Sequence, residues 1–229
     1  MAATRALRRG LLYFAAFLLV LILALFLPAG KITWWRGWIF VIVYLATSAA
    51  ATAYLWRTNP EVVVARSTIH RQGQPAAQAL LLAGLLVAFI AIFTVAALDA
   101  MRYHWSSVSP WLTIVGYALY LTGTAGQVWA LRVNKFAEPS VRIQTERQQR
   151  VVDTGPYATV RHPLYATGLL VCAGIPLALG SLWALVPAGI GTALIVARTA
   201  LEDRMLQADL AGYRDYAARV RYRLVPGIW

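Results

Sequence analysis

Uncharged apolar runs separated by short polar stretches occupy most of this chain, at about 11–28, 37–56, 78–98, 111–131, 164–180 and 182–200. A hydrocarbon core of about 30 Å takes roughly 20 helical residues to cross. The pattern therefore predicts an all-α, polytopic integral membrane protein of about six transmembrane helices. The fifth run is short and holds Pro176, which predicts a tilted, kinked or partly spanning helix. The first run follows Arg5, Arg8 and Arg9 but is too long for a signal-peptide core and has no small-x-small cleavage site, so a retained span is expected.

Two breaks in the pattern organise the rest. The first is a polar segment from Arg132 to Pro163, long enough that a functional role is expected of it. Within it Val141 and Ile143, then Val151 and Val152, predict short extended or turn segments, and Gly155-Pro156 a turn. Pro163 suits the first position of a helix, where its missing N–H would be unpaired anyway. The second break, at Gly180 and Ser181, predicts a reversal between two apolar arms. From Ser181 it is 19 residues back to His162 and 21 forward to Glu202. At about 1.5 Å of rise per residue the arms return to one level, which places Arg161 and His162 beside Glu202 and Asp203. With no repeat and no linker, one domain is expected, its 1–131 part made of N-terminal helices and its 132–229 part holding most of the charge.

Composition agrees with a membrane protein: 60% hydrophobic and 13% charged, with a mean hydropathy of +0.61. The net charge of +12 would suggest nucleic acid in a soluble chain. Here all the lysines and arginines except Lys31, Arg36 and Arg102 fall on one side of the expected topology, so the positive-inside rule places both termini in the cytoplasm and no nucleic-acid partner is expected. A basic face also attracts anionic membrane lipids. Arginine and alanine in abundance over lysine suggest a bacterial inner membrane. Trp34, Trp35, Trp38, Trp56, Trp105, Trp111 and Trp183 cluster where interfaces are expected. The single cysteine, Cys172, reads as a packing residue.

Several chemistries find no support. No His and Cys set has zinc spacing, so no metal is expected. Gly189 and Gly191 in "GIG" lie inside an apolar run and read as close helix packing, as do Gly123 and Gly126. Ser140 and Ser181 have no base nearby in sequence. No charge deep in a run and no inverted repeat point to a transporter. What remains is the hairpin rim. Arg198 and Glu202 are four apart on one helix face, Arg161 and His162 stand opposite, and Tyr157, Tyr165 and Tyr213 are close in sequence. Singly these residues read as interfacial cations and solvated caps; jointly they predict a ligand site at the membrane edge.

"VVDTGPYATVRHPLYATG" and, past the hairpin, "LEDRMLQADLAGYRDYAARVRYRLVPGIW" resemble the isoprenylcysteine carboxyl methyltransferase family over roughly residues 116–229. The motifs that carry this are the G-P-Y turn, R-H-P-x-Y-x-x-G, the acidic pair and G-Y-x-x-Y. The resemblance implies a cytoplasmic pocket for S-adenosylmethionine and a lipophilic or lipid-modified acceptor. It implies cofactor contacts at Gln149, Val151, Tyr157, His162, Pro163, Tyr165, Glu202 and Asp203. Catalytic roles fall to Arg161, which would hold a substrate carboxylate, and to Glu202. Two positions depart from the family's habit: Gln149 stands where a histidine is frequent, and Asp203 where the second acid is commonly glutamate. Related activities are phospholipid or amine N-methylation, thiol S-methylation and, on a related architecture, NADPH-dependent sterol-type reduction.

Overall fold

The computed structural model describes residues 2–67 and 75–229, with the side chains of residues 2–7 and 9 left outside. The side chains of Arg5 and Arg9, and part of the expected 57–77 loop including Arg71, thus lie outside the described residues. Among the described residues eight α-helices follow in order: α1 Ala2–Ala29, α2 Trp35–Thr58, α3 Pro60–Arg66, α4 Ala76–Ala97, α5 Pro110–Val133, α6 Pro163–Leu179, α7 Leu185–Asp209 and α8 Tyr213–Arg219. A π-turn, Leu98–Tyr103, extends α4. Among the described residues there is no strand, and Val141, Ile143, Val151 and Val152, expected in short extended or turn segments, lie in irregular coil around two 3₁₀ turns, Thr145–Arg147 and Gly155–Ala158.

Among the described residues four stretches are long and apolar enough to cross a membrane: Gly10–Ala29, Trp35–Thr58, Ala76–Tyr103 and Leu185–Asp209. The other two apolar runs of the sequence form α5 and α6. α6 is apolar but has 17 residues. α5 has 24 residues diluted by Gly116, Gly123, Gly126, three threonines and Gln127. The glycines that lower its hydropathy let it lie against α6. A Cβ on Gly174 would stand 2.6 Å from the Gly116 carbonyl oxygen and 2.7 Å from the Tyr120 nitrogen, and one on Gly123 would stand 2.8 Å from the Thr167 oxygen. Backbone touches backbone there, as small residues permit between membrane helices.

The apolar core joins α1, α2, α4 and α6 through Leu21, Leu25, Phe40, Ile92, Phe93, Ile175 and Leu179, all nearly inaccessible. Leu80, Val87, Ile114 and Val186 stay exposed, a surface suited to lipid. The hairpin turn is fixed at the end remote from the polar segment. Gly180 closes α6 with φ +85, and its missing Cβ leaves room for the Arg36 guanidinium. Buried Asp99 accepts from Ser106 N and Oγ and from Ser181 Oγ, each at 2.6 Å, and from Trp183 N at 3.3 Å. With one end pinned, α6 and α7 deliver their other ends to a fixed place.

Candidate functional site

The polar segment folds on itself before it reaches the hairpin. Gln144 donates to the Phe136 oxygen at 2.7 Å, its own N–H donates to Gln149 Oε1 at 2.8 Å, and Arg142 bridges Glu138 at 3.3 Å and Glu146 at 2.6 Å. Arg161 N and His162 N then donate to the carbonyls of Tyr222 and Arg223, at 2.9 and 3.0 Å, so the C-terminal tail runs alongside the R-H-P motif. Pro163 starts α6 at its first position.

Asp203 gathers this end of the molecule. Its fully buried carboxylate accepts from Arg161 Nε at 2.8 Å and Nη2 at 3.0 Å, Arg223 Nε at 2.9 Å, Gln207 Nε2 at 2.8 Å and Tyr213 Oη at 3.0 Å, with His162 Nε2 at 3.2 Å. Arg161 spends its remaining reach on the carbonyls of Val220 and Arg221, both at 2.8 Å. Burial opposes the charge of Arg161, but the paired carboxylate outweighs it and its pKa is raised. Burial also raises the Tyr213 phenol, with the neighbouring Asp203 charge adding to it.

Glu202, one position earlier, belongs to a second chain of bonds: Arg198 Nε donates to Tyr165 Oη at 2.8 Å, and Tyr165 Oη donates to Glu202 Oε2 at 2.6 Å. Arg198 also donates to the Pro139 oxygen at 2.6 Å and the Gln78 oxygen at 3.2 Å, which ties α7 to the polar segment and to α4.

Between these chains lies an open cavity, with about 800 Å³ of empty space when the space at its mouth is counted. Of the residues the sequence singled out, Gln149, Val151, Tyr157, Arg161, His162, Tyr165 and Glu202 line it, whereas Pro163 and Asp203 do not. The guanidinium of Arg161 is already paired, and Asp203 holds the wall from behind. Burial pushes the Tyr157 phenol up to about 12 against a hydrogen bond with Asn134. The rings of His162 and Tyr165 stack with centroids 5.9 Å apart. Sequence reasoning missed Asn134, Phe136, Glu138, Ser140, Gln144 and Met205 as wall residues; most stand in the polar segment whose length was the only signal. Ser140 is 5% exposed, and among the described residues its Oγ has no hydrogen-bond partner. A buried hydroxyl left so on a cavity wall fits a polar ligand.

The fold and site thus define a helical membrane protein with a polar, aromatic-walled pocket at one end of its hairpin. Residues 111–211, from the start of α5 to just past α7, match the family model of the phospholipid methyltransferases. This part of the chain is thus similar to a family of methyltransferases. The chain is also 29% identical over 135 residues to the cobalt-zinc-cadmium resistance protein CzcN of Cupriavidus metallidurans, an alignment covering 57% of either protein. The chain therefore spans little more than half the length of that curated relative. Among the described residues no group of three or more His, Cys, Asp or Glu could hold a metal ion.

Proposed function

We propose that the protein is an S-adenosylmethionine-dependent membrane methyltransferase acting on a lipophilic acceptor, with its pocket and both termini on the cytoplasmic side of a bacterial inner membrane. The observation that carries this reading is one cavity, inside the matched region, faced by the buried unpartnered Ser140 hydroxyl, the Glu202 carboxylate and the rings of Tyr157, His162 and Tyr165. These residues fit the group. Carboxylate and hydroxyl suit an amine and ribose hydroxyls, and aromatic faces suit a sulfonium cation.

When bound, S-adenosylmethionine supplies a methyl group already activated by its positive sulfur. The chain's own task is to bind, align and exclude water. Tyr165 holds Glu202 in place, and Arg198 holds Tyr165. Arg161 and Asp203 position the R-H-P turn and the tail, which keeps His162 and Tyr213 on the wall.

For a carboxylate acceptor, already ionised at neutral pH, no base is required. This is the carboxyl O-methylation that the R-H-P-x-Y and acidic-pair motifs suggest. The phospholipid methyltransferase match favours a second reading, N-methylation of an amine. That amine must lose a proton, and of the two wall carboxylates Glu202, unlike Glu138, is not paired with an arginine and can take it. Purified protein in lipid nanodiscs, incubated with radiolabelled S-adenosylmethionine and a native lipid extract, is expected to label a lipid. A base-labile methyl ester in that product indicates O-methylation, and a base-stable methyl indicates N-methylation. No labelled product, together with calorimetric binding of NADPH in place of S-adenosylhomocysteine, defeats the reading in favour of a reductase.

A further inference from the structure

The hydrogen bonds around His162 fix which of its ring nitrogens carries the proton. The residue lines the cavity and is 5% exposed. Behind it Asp203 accepts from two guanidinium groups, those of Arg161 and Arg223, and from Gln207 Nε2 and Tyr213 Oη. A carboxylate that neutralises two arginines is ionised and can only accept. His162 Nε2, 3.2 Å from Asp203 Oδ1, is therefore the nitrogen that bears hydrogen. Tyr213 Oη stands 3.4 Å from the same nitrogen and spends its own hydrogen on Asp203, so it too meets Nε2 as an acceptor.

That leaves a lone pair on Nδ1. His162 stands at the N-cap of α6, yet its side chain caps no backbone N–H there. Among the described residues Nδ1 has no hydrogen-bond partner, both bonds of the ring being made at Nε2. The two nitrogens of an imidazole point in different directions. With Nε2 turned to Asp203 behind the wall, Nδ1 points away from it. The Tyr165 ring, stacked at 5.9 Å with 20° between the planes, holds the imidazole from its face. The fold thus uses one nitrogen and leaves the basic one unspent, on a residue of the cavity wall. A carboxylate at the far nitrogen is the means by which a general base is held in its working tautomer.

Glu202, the wall carboxylate without an arginine, is differently placed. Its Oε2 accepts from Tyr165 Oη at 2.6 Å, and Arg198 Nε donates to the Tyr165 oxygen at 2.8 Å. Donors ranged behind a carboxylate suit it to hold a cation in the cavity.

We propose that His162 is the general base of the methyl transfer, its Nδ1 taking a proton from the ammonium group of a lipid headgroup. This deepens the methyltransferase reading, in its N-methylation form, and rests on it. The ammonium gives one proton to Nδ1, and the electron pair so freed forms the new N–C bond. The C–S bond to the methyl of S-adenosylmethionine breaks, its pair staying on sulfur, which becomes a neutral thioether. The imidazolium keeps its Nε2 bond to Asp203 and returns the added proton to water at the open mouth of the cavity. A carboxylate acceptor would leave Nδ1 without a task.

The test uses full-length protein in nanodiscs of native lipid extract. The chain has three histidines, His70, His104 and His162, so protein carrying His70→Gln and His104→Gln shows the His162 ring alone in a histidine nitrogen NMR spectrum. At the pH of fastest methylation the expected result is a proton on Nε2 and none on Nδ1. His162→Gln puts an amide N–H in place of Nε2, which keeps the bond to Asp203, and no base in place of Nδ1. With radiolabelled S-adenosylmethionine it is expected to form the base-stable methyl product about a hundredfold more slowly, while S-adenosylhomocysteine affinity stays within about threefold. The proposal is overturned by a proton on Nδ1, by a base-labile methyl ester as the product, or by undiminished turnover of His162→Gln. It is overturned equally by an S-adenosylhomocysteine affinity that falls in step with turnover, which would make His162 a cofactor contact alone. Wild-type protein without affinity for S-adenosylhomocysteine removes the methyltransferase reading itself, whatever the tautomer.

Discussion

Glu202 and Asp203 are neighbours in sequence with separate duties, because successive residues on a helix point about 100° apart. Asp203 faces inward and neutralises two guanidinium groups; Glu202 faces the cavity. Asp203→Asn keeps the shape but leaves Arg161 and Arg223 without their counter-charge, and a loss of about 3–5 kcal/mol is expected for breaking such a buried pair. Cys172 is buried and is the sole cysteine, so a thiol-reactive dye followed during heating reads unfolding directly. An unchanged midpoint for Asp203→Asn would contradict its place as the hub. Ser140→Ala carries the opposite sign in its two readouts. With its unpartnered hydroxyl removed the free protein should gain up to about 1 kcal/mol, while S-adenosylhomocysteine binding should fall about fivefold. A loss of stability with unaltered binding would show that the hydroxyl does not face the ligand. At this scale the sequence placed Arg161 and His162 beside the two acids, because equal helical arms require it. It could not say which acid takes the arginine, because helix rotation in an apolar arm leaves no mark on the residue pattern.

At the scale of elements, the same ambiguity decided which glycines matter. Gly123 and Gly126 read as packing positions and do meet Thr167 and Val171. Gly189 and Gly191 read the same way, yet a Cβ on Gly189 meets nothing within 4 Å and one on Gly191 stands an ordinary 3.7 Å from Ala88. A helix apolar on every face carries no stripe to tell lipid side from protein side. Gly174→Ala should cost about 1–3 kcal/mol, because its new methyl meets backbone that yields only if α5 and α6 separate. The shift would carry Tyr165 with it, so S-adenosylhomocysteine affinity should fall as well. Gly189→Ala should be neutral or stabilise by up to about 1 kcal/mol through helix propensity. Equal dye-detected midpoints for the two variants would refute the close contact. The run of the C-terminal tail beside the R-H-P turn was illegible for a different reason: it depends on backbone carbonyls, which every sequence has.

For the molecule as a whole, charge and shape agree on direction. The polar segment, α3, α8 and the tail gather at the end of the hairpin that holds the cavity, with most of the described arginines. Lys31, Arg36 and Arg102 belong to the opposite end, where Asp99 pins the turn and Arg102 donates to the Pro28 oxygen at 3.5 Å. Basic residues near helix ends resist translocation, so the cavity end should face the cytoplasm, where charged donor and anionic inner-leaflet lipid are both at hand. Cys172→Ala protein carrying Arg102→Cys or Arg221→Cys tests this, since both arginines are exposed at opposite ends. A membrane-impermeant maleimide applied to intact spheroplasts should label the first and spare the second until the cells are opened. Labelling of Arg221→Cys in closed spheroplasts would turn the molecule over, and the pocket would then open away from the methyl donor proposed for it.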